Sequence, residues 1–563
     1  MKWFNDNGKW FDRDFLNALT EEQWVRIAEE VKSSLSDELI ETSIRRWPPE
    51  VFAQGGQHII ETLKKRRDKL PGFASRYYKE LSKTVHIRGT HHADLIEITR
   101  APGQTRVQLF DSNKEGDKNE LYYTRTFTNT VTQEIQIYGL EGQDQLMISG
   151  SSAGGIRVYF VGGEDGDKVR VDGKQQPGNI KVLDTQPAKN IVADQPVSYR
   201  QVGDDHNTFE RRVFLYDYGI PKLIIAGNPD DGFLFGGGAQ WTNHGFQKTP
   251  YASQHTLTGF YAVATQAFGL DYTGEWTDAL GKIDVGVHAA FKAPTFVQNF
   301  FGFGNDSEEI ESTEDKDFYR ARKRNYSLVP FLKAGKEQGS SLILRAGYES
   351  HEVEQNEGRF VTTPGSGLDP DDFDEKRFAV TSAAFQYRVV DNPAIVRRGI
   401  DFDIATGLDL PLTGDDDAHR YLKTSLAMYY QFKHLGRSVL ATRVGMQWHG
   451  GDYQFYQGAI LGSQENFRGV RKERFVGDRM FYHNTDLRIR LSQWRSYFLP
   501  ASLGIQLNFD HGRVWQEGEN SDTWHYAYGG GVWISPFQTL LFSVNYHKSD
   551  IDQRFSVAMG FLF

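Results

Sequence analysis

The chain has 563 residues, no cysteine, 56 glycines and a formal net charge of −10. Without Cys there are no disulfides and no thiolate metal sites, and the negative balance argues against a nucleic-acid partner, which needs a basic face. A mean hydropathy of −0.55 excludes little, because a membrane barrel buries apolar residues only at every second position. No apolar run reaches the ~20 residues of a membrane helix.

The first residues, Met1-Lys2-Trp3-Phe4-Asn5-Asp6-Asn7-Gly8, have no apolar core and no small-residue cleavage site, so they do not read as a signal peptide. The expectation is a mature, truncated or partial chain. Residues 1–82 are predicted helical. Thr20-Glu21-Glu22-Gln23 fits a capping box, and Ile27, Val31 and Leu35 follow at the spacing of one helix face. Pro48-Pro49 breaks the pattern, and further helices are predicted over 57–69 and 73–83. The run Lys64-Lys65-Arg66-Arg67 reads as a solvated helix face, with contact to anionic headgroups as the sharper alternative.

Residues 83–195 switch to short strands, such as Thr105-Arg106-Val107-Gln108-Leu109-Phe110 and Glu134-Ile135-Gln136-Ile137-Tyr138. Two stretches, from Gly139 to Leu146 and from Gly162 to Val169, approximate the Gly-Gly-x-Gly-x-Asp-x-apolar unit of calcium-binding parallel β-helices. Leu140 and Asp165 stand where that unit has glycine, and two imperfect copies cannot build a calcium ladder. The region is predicted to be a small β-rich domain, solenoid-like or a sandwich. His91-His92 with Asp94 and His86 reads as a solvated strand end rather than a ligand set. Gly150-Ser151-Ser152-Ala153-Gly154 matches a nucleophile elbow, but the strand-like Ile156-Arg157-Val158-Tyr159-Phe160 follows where that motif needs a helix.

Residues 196–230 read as a connector, and residues 231–563 as a transmembrane β-barrel. Its strands alternate apolar outward with small or polar inward. The final residues Phe555, Val557, Met559, Phe561 and Phe563 fall on one predicted face, with Ser556, Ala558 and Gly560 on the other. Leu540, Phe542, Val544 and Tyr546 form a second outward row, and Leu422, Thr424, Leu426, Met428 and Tyr430 a third. About sixteen such segments follow Gly232; one is weak, Phe296 to Phe303. Short connectors such as Ser535-Pro536 and Ala334-Gly335-Lys336 sort to one end, and long acidic ones, 305–317 and 352–376, to the other, as in bacterial barrels. The fold class is therefore mainly β: a sixteen-stranded antiparallel transmembrane barrel preceded by a small helical segment and a small β-rich domain.

A long loop, about 450–477, contains Asn466-Phe467-Arg468-Gly469-Val470 and Arg474-Phe475-Val476-Gly477. The following strands carry Asn484-Thr485-Asp486-Leu487-Arg488 and Asn508-Phe509-Asp510-His511-Gly512. In this order the run resembles the BamA/TamA superfamily of outer-membrane assembly barrels (the bacterial surface antigen type), whose sixth outer loop carries an Arg-Gly-aromatic motif and folds into the lumen. Val470 takes the aromatic position here. Asn299-Phe300-Phe301-Gly302-Phe303-Gly304-Asn305, and Pro229-Asp230-Asp231-Gly232 before Gly236-Gly237-Gly238, are similar to the family as well. Alternation independently turns Asp486, Arg488, Arg490 and Asp510 toward the lumen, so Arg468 is expected to pair with Asp510 and Asp486 and, with Phe467 and Gly469, to lock the loop to the wall.

No copy of the ~75-residue periplasmic repeat of such assembly proteins is found in 1–230, which instead resembles the segment between a metallophosphoesterase and a barrel in fused members. The metal-ligand runs of that esterase are absent, so no enzyme, metal or other cofactor is expected in this chain. The resemblance implies insertion, assembly or translocation of proteins or lipids at the bacterial outer membrane, through a weak seam between the first and last strands. Outer-membrane lipids, unfolded outer-membrane protein clients and accessory lipoproteins are the expected partners, with the N-terminal region periplasmic. The alternatives are an anchor or exporter for a hydrolase domain outside this chain, and a simple pore.

Overall fold

The computed structural model describes residues 6–112, 117–151, 155–173, 178–185, 191–193, 197–203, 207–228, 232–263, 265–309, 317–336, 338–393, 395–432, 438–462, 465–496, 499–537 and 540–563. The chain forms two units, Met1–Tyr216 and Asp217–Phe563.

The first unit opens with helices Lys9–Phe15, Glu21–Ser34, Asp37–Arg45, Pro49–Asp68 and Leu70–Leu81. The capping box forms: the Gln23 amide donates to Thr20 Oγ1 at 3.4 Å and the Thr20 amide to Gln23 Oε1 at 2.8 Å. The break at Pro48-Pro49 is present: one helix ends at Arg45 and the next starts at Pro49, where its missing N–H costs nothing. Ile27 and Val31 are each 45% exposed, and the small core is built instead by Ile40, Ile44 and Ile60. Lys64 pairs with Glu41 and Asp37, and Arg67 with Asp37 and the Leu35 carbonyl.

The β-rich part is a two-sheet solenoid. One sheet is wholly parallel, in the order Thr84–Arg88, Glu134–Tyr138, Arg157–Val161, Ile180–Asp184, Ser198–Gln201. In the other, Ile191–Ala193, Lys168–Val171, Gln145–Gly150 and Asp94–Ala101 run parallel, and Gln104–Ser112 and Lys118–Thr128 extend it antiparallel. The chain alternates between sheets, and inward residues such as Ile98, Ile137, Ile148, Val158 and Phe160 fill the space between them. The domain therefore runs past 195: Ser198–Gln201 is a strand of it, and Asn207 Nδ2 binds the Gly163 carbonyl.

At one corner, three buried aspartates stack from coil to coil. Asp144 Oδ1 accepts the Asp94 amide, and Asp167 Oδ1 the Asp144 amide, each at 2.9 Å. Each follows a glycine by five residues (Gly89, Gly139, Gly162), and a Cβ on Gly139 or Gly162 would collide with the aspartate's other oxygen. Burial, reinforced by neighbouring carboxylates, pushes Asp144 up to about 9 and Asp167 up to about 8. The histidines do not join Asp94. His91 pairs with Glu141, while His86 packs among the rings of Tyr138, Phe209 and Phe214. The elbow motif falls partly outside the described residues.

The second unit is one antiparallel sheet of sixteen strands. Its first strand is Tyr218–Asn228, paired with Gly232–Asn243. The segment read as a connector thus supplies the first barrel strand. The weak segment at Phe296 is not a strand of its own: Phe296 to Asn299 ends the long strand Ile283–Asn299 beyond a register shift. These two corrections offset, which is why the expected number agrees. Alternation holds along Phe542–Ser549, where Phe542, Val544 and Tyr546 are exposed and Ser543, Asn545 and His547 buried. The last strand, Gln553–Met559, exposes Phe555, Val557 and Met559 at 60–71%. It then stops. Gly560 takes φ +110°, and Phe561 and Phe563 leave the outward row. Phe561 meets the inward Trp533 edge-on, and Phe563 approaches Tyr429.

Candidate functional site

The loop between Val439–Gly450 and Arg479–Trp494 re-enters the barrel as a short hairpin, Ala459–Leu461 with Phe475–Gly477. Between its arms lies Asn466-Phe467-Arg468-Gly469-Val470. Phe467 is wholly buried, packed with Ala459, Leu461, Val470, Phe475 and Val514. Gly469 takes φ +85°, and a Cβ there would lie 3.1 Å from that of Ala527 and 3.4 Å from that of His547. Only glycine suits both the backbone and the space.

Arg468 is 9% exposed, Asp486 0% and Asp510 1%. Arg468 donates from Nε to Asp510 Oδ2 at 2.8 Å, from Nη2 to Asp510 Oδ1 at 2.5 Å and from Nη1 to Asp486 Oδ1 at 2.8 Å. Its backbone amide also donates to Asp510 Oδ2, at 3.0 Å. The two carboxylates stand on adjacent strands, Arg479–Trp494 and Ala501–Trp515, where Asp486 is opposite Asn508 and Asp510 opposite Asn484. The fork geometry of the guanidinium makes this bridge possible.

The network extends beyond the residues read from sequence. Asn508 Nδ2 donates to Asp486 Oδ1 at 2.7 Å, and Asn508 Oδ1 meets His547 Nε2 at 3.1 Å. Arg488 Nη2 donates to Asp486 Oδ2 at 2.9 Å and to the Phe563 carbonyl at 2.6 Å. Its guanidinium lies 4.0 Å from the centroid of the Phe561 ring. Two buried arginines thus face two buried aspartates, and the chain terminus is joined to the same cluster. Arg488 was legible as an inward residue, but its link to the terminus depends on the turn at Gly560.

A second segment crosses the barrel at its long-loop end. Asn299-Phe300-Phe301-Gly302-Phe303-Gly304-Asn305 leaves the fifth strand of the sheet and reaches the thirteenth. There Asn305 Oδ1 accepts the Val514 amide at 3.0 Å, and Asn305 Nδ2 donates to the Thr523 carbonyl at 3.0 Å. The Gly304 amide donates to the Val476 carbonyl at 2.7 Å, tying it to the re-entrant hairpin. Phe300, Phe301, Phe360, Phe455 and Val476 form a buried cluster at this level, and Arg471 and Arg474 lie over the Phe301 ring. Below it is a lumen cavity of about 1010 Å³ with mixed charge, including Lys323, Arg345, Lys423, Glu349 and Asp409. Among the described residues, no group of three or more His, Asp or Glu is arranged to hold a metal ion.

A family model, the Omp85 superfamily domain, matches residues 252–563. Among solved structures, BamA from Haemophilus ducreyi lacking POTRA domains 1–3 is 12% identical, with a TM-score of 0.46, over 61% of this chain and 70% of that one. CdiB from Escherichia coli is 9% identical, with a TM-score of 0.42, over 62% of each chain. CdiB from Acinetobacter baumannii is 10% identical, with a TM-score of 0.38, over 61% of this chain and 59% of that one. No curated protein matches.

Proposed function

This chain belongs to the Omp85 superfamily, and from that premise we propose that it inserts, assembles or translocates proteins at the bacterial outer membrane, in the manner of the BamA/TamA type. The carrying observation is the edge of the sheet. Among the described residues, Tyr218–Asn228 and Gln553–Met559 are not paired with each other. The first strand offers eleven residues of backbone and the last only seven before Gly560 turns away. Such an edge accepts an extended client strand by backbone hydrogen bonds, with alternate side chains setting the fit.

Two further features support lateral rather than axial passage. The segment Asn299 to Asn305 and its aromatic cluster obstruct the long-loop end. The Arg468 bridge holds the re-entrant loop against strands near the terminal edge, where it acts as a lock. In this reading the long-loop end faces outward and the first unit lies in the periplasm, available to clients or accessory lipoproteins. No catalytic step is assigned to the chain.

The test is a disulfide across the edge. The native chain has no Cys, so cysteines placed on the first and last strands, at Leu223 and Val557, can pair only with each other. The full chain, reconstituted in vesicles with an unfolded barrel client, is expected to lose client insertion when oxidised and regain it on reduction. Full insertion with the pair closed rejects lateral passage.

A further inference from the structure

The outward face is apolar along most of the sheet, and its cations gather at the long-loop end. They fall into two groups. Around Arg320–Gly335 to Lys376–Val390, each outward arginine has a carboxylate: Arg322 with Glu354 at 3.8 Å, Arg324 with Glu352, and Arg377 with Glu375 at 2.6 Å. Around His419–Gln431 to Ala501–Trp515 the arrangement differs. Arg420, Arg479 and Arg513 have no ion-pair partner among the described residues.

These three sit among tryptophans by register. Trp448 is opposite Leu422 on one side and Arg479 on the other, and Arg479 in turn is opposite Trp515. Arg420, opposite Gly450, lies one outward step nearer the loops; Arg513, opposite Phe481, lies one step further from them. Arg513 is held 4.7 Å from the Trp515 ring centroid and 5.6 Å from that of Trp524. Its Nη2 donates to the Ser521 carbonyl at 2.5 Å, and its Nε is buried without a partner. Arg420 and Arg479 are exposed, and Trp448, Trp515 and Trp524 are 36–44% exposed. Two of the nearby acidic groups are otherwise engaged: Asp478 accepts from Tyr453 Oη and the Glu517 amide, and Glu519 from the amides of Asn305 and Asp306, while Asp415, Asp417 and Glu517 stay exposed on the adjoining loops.

Tryptophan rings mark the level where hydrocarbon gives way to headgroups. Arginines at that level, reaching past the rings, meet whatever charge the headgroups carry. We propose that the rim formed by Arg420, Trp448, Arg479 and Trp515 is a binding surface for the phosphate groups of an anionic outer-leaflet lipid; Arg513, only 6% exposed, lies beneath the Trp515 and Trp524 rings and supports them from behind. The ion-paired rim across Arg322, Arg324 and Arg377 has no such selectivity. The proposal rests on the outward orientation given above for the long-loop end.

The test is native mass spectrometry of the full chain released from detergent, titrated with diphosphoryl lipid A, monophosphoryl lipid A or phosphatidylcholine. Wild type is expected to retain the diphosphoryl lipid most tightly. A cation near an anionic surface is worth roughly fivefold in binding, so R420Q/R479Q should weaken retention about 25-fold. R322Q/R324Q, which removes ion-paired arginines, should change it less than about twofold. Equal retention by wild type and R420Q/R479Q overturns the proposal, as does equal retention of phosphatidylcholine. Full displacement by millimolar inorganic phosphate would mark a free-anion site instead and also overturns it. Heat-modifiable gel mobility precedes every titration. Absence of the shift in wild type defeats the barrel reading itself, whereas a shift without selective retention defeats only this surface. If R420Q/R479Q fails to fold, the wild-type preference between the three lipids decides alone.

Discussion

At the residue scale, Arg468 stands apart because it bridges two buried carboxylates; Asp486 also pairs with Arg488, so Asp510 is the one that its loss leaves uncompensated. Removing one partner of a buried ion pair costs about 3–5 kcal/mol, because the charge left behind is uncompensated. Arg468→Ala is therefore expected to lose heat-modifiable mobility at a lower temperature and to expose the loop to trypsin at Arg471, Lys472 and Arg474. Arg468→Lys keeps the charge but replaces the planar fork with a single ammonium. It should restore the mobility while leaving the loop more sensitive to trypsin than in wild type. Unchanged proteolysis in both variants would mean that the bridge does not hold the loop. The pairing partners were legible because strand alternation fixes which carboxylates face inward. Asn508, His547 and the Phe563 carbonyl were not, since neutral side chains and a backbone oxygen carry no charge pattern to read.

At the scale of elements, the solenoid shows how a local motif changes meaning in three dimensions. Gly139 to Leu146 and Gly162 to Val169 were visible as related stretches, but their third member was not. Asp94, five residues after Gly89, was grouped with His91 and His92 because those types suggest metal ligands. In the structure Asp94 tops the aspartate stack. Similarly, the spacing of Ile27 and Val31 marks an amphipathic helix, but periodicity says nothing about whether a partner covers the face. The stack carries a pH prediction. Asp144 and Asp167 have folded-state pKa values of about 9 and about 8, well above the ordinary carboxylate value. Their neutral forms belong to the folded state, so the stability they confer is complete below about pH 4 and is lost progressively as pH rises toward 8–9. The first unit within the full chain should therefore become more susceptible to proteolysis between pH 5 and 9. Asp144→Asn keeps an acceptor for the Asp94 amide and cannot ionise, so its proteolysis should depend less steeply on pH. A wild-type rate flat across that range would show that the stack does not titrate there.

At the scale of the whole molecule, the sixteen-stranded sheet was legible from alternation alone, but its boundaries were not. Tyr218–Asn228, within the segment read as a connector, contains Pro221, a residue type that argues against an interior strand. A first strand tolerates proline because one of its edges has no ladder to complete. Phe561 and Phe563 continued the alternation on paper, yet Gly560 turns them inward, and no two-residue period can announce that turn. The same turn leaves the last strand short, weakening the edge where lateral passage is proposed. Axial passage meets the opposite condition, an aromatic cluster of Phe300, Phe301, Phe360 and Phe455 spanned by a segment hydrogen-bonded at both ends. Hydrophobic constrictions resist wetting and block ions. The full chain in planar bilayers is therefore expected to show little steady conductance, and Phe300→Ser with Phe455→Ser to raise it several-fold while heat-modifiable mobility is retained. Steady conductance in wild type, unchanged by that pair, would place the open path along the barrel axis and make the molecule a pore.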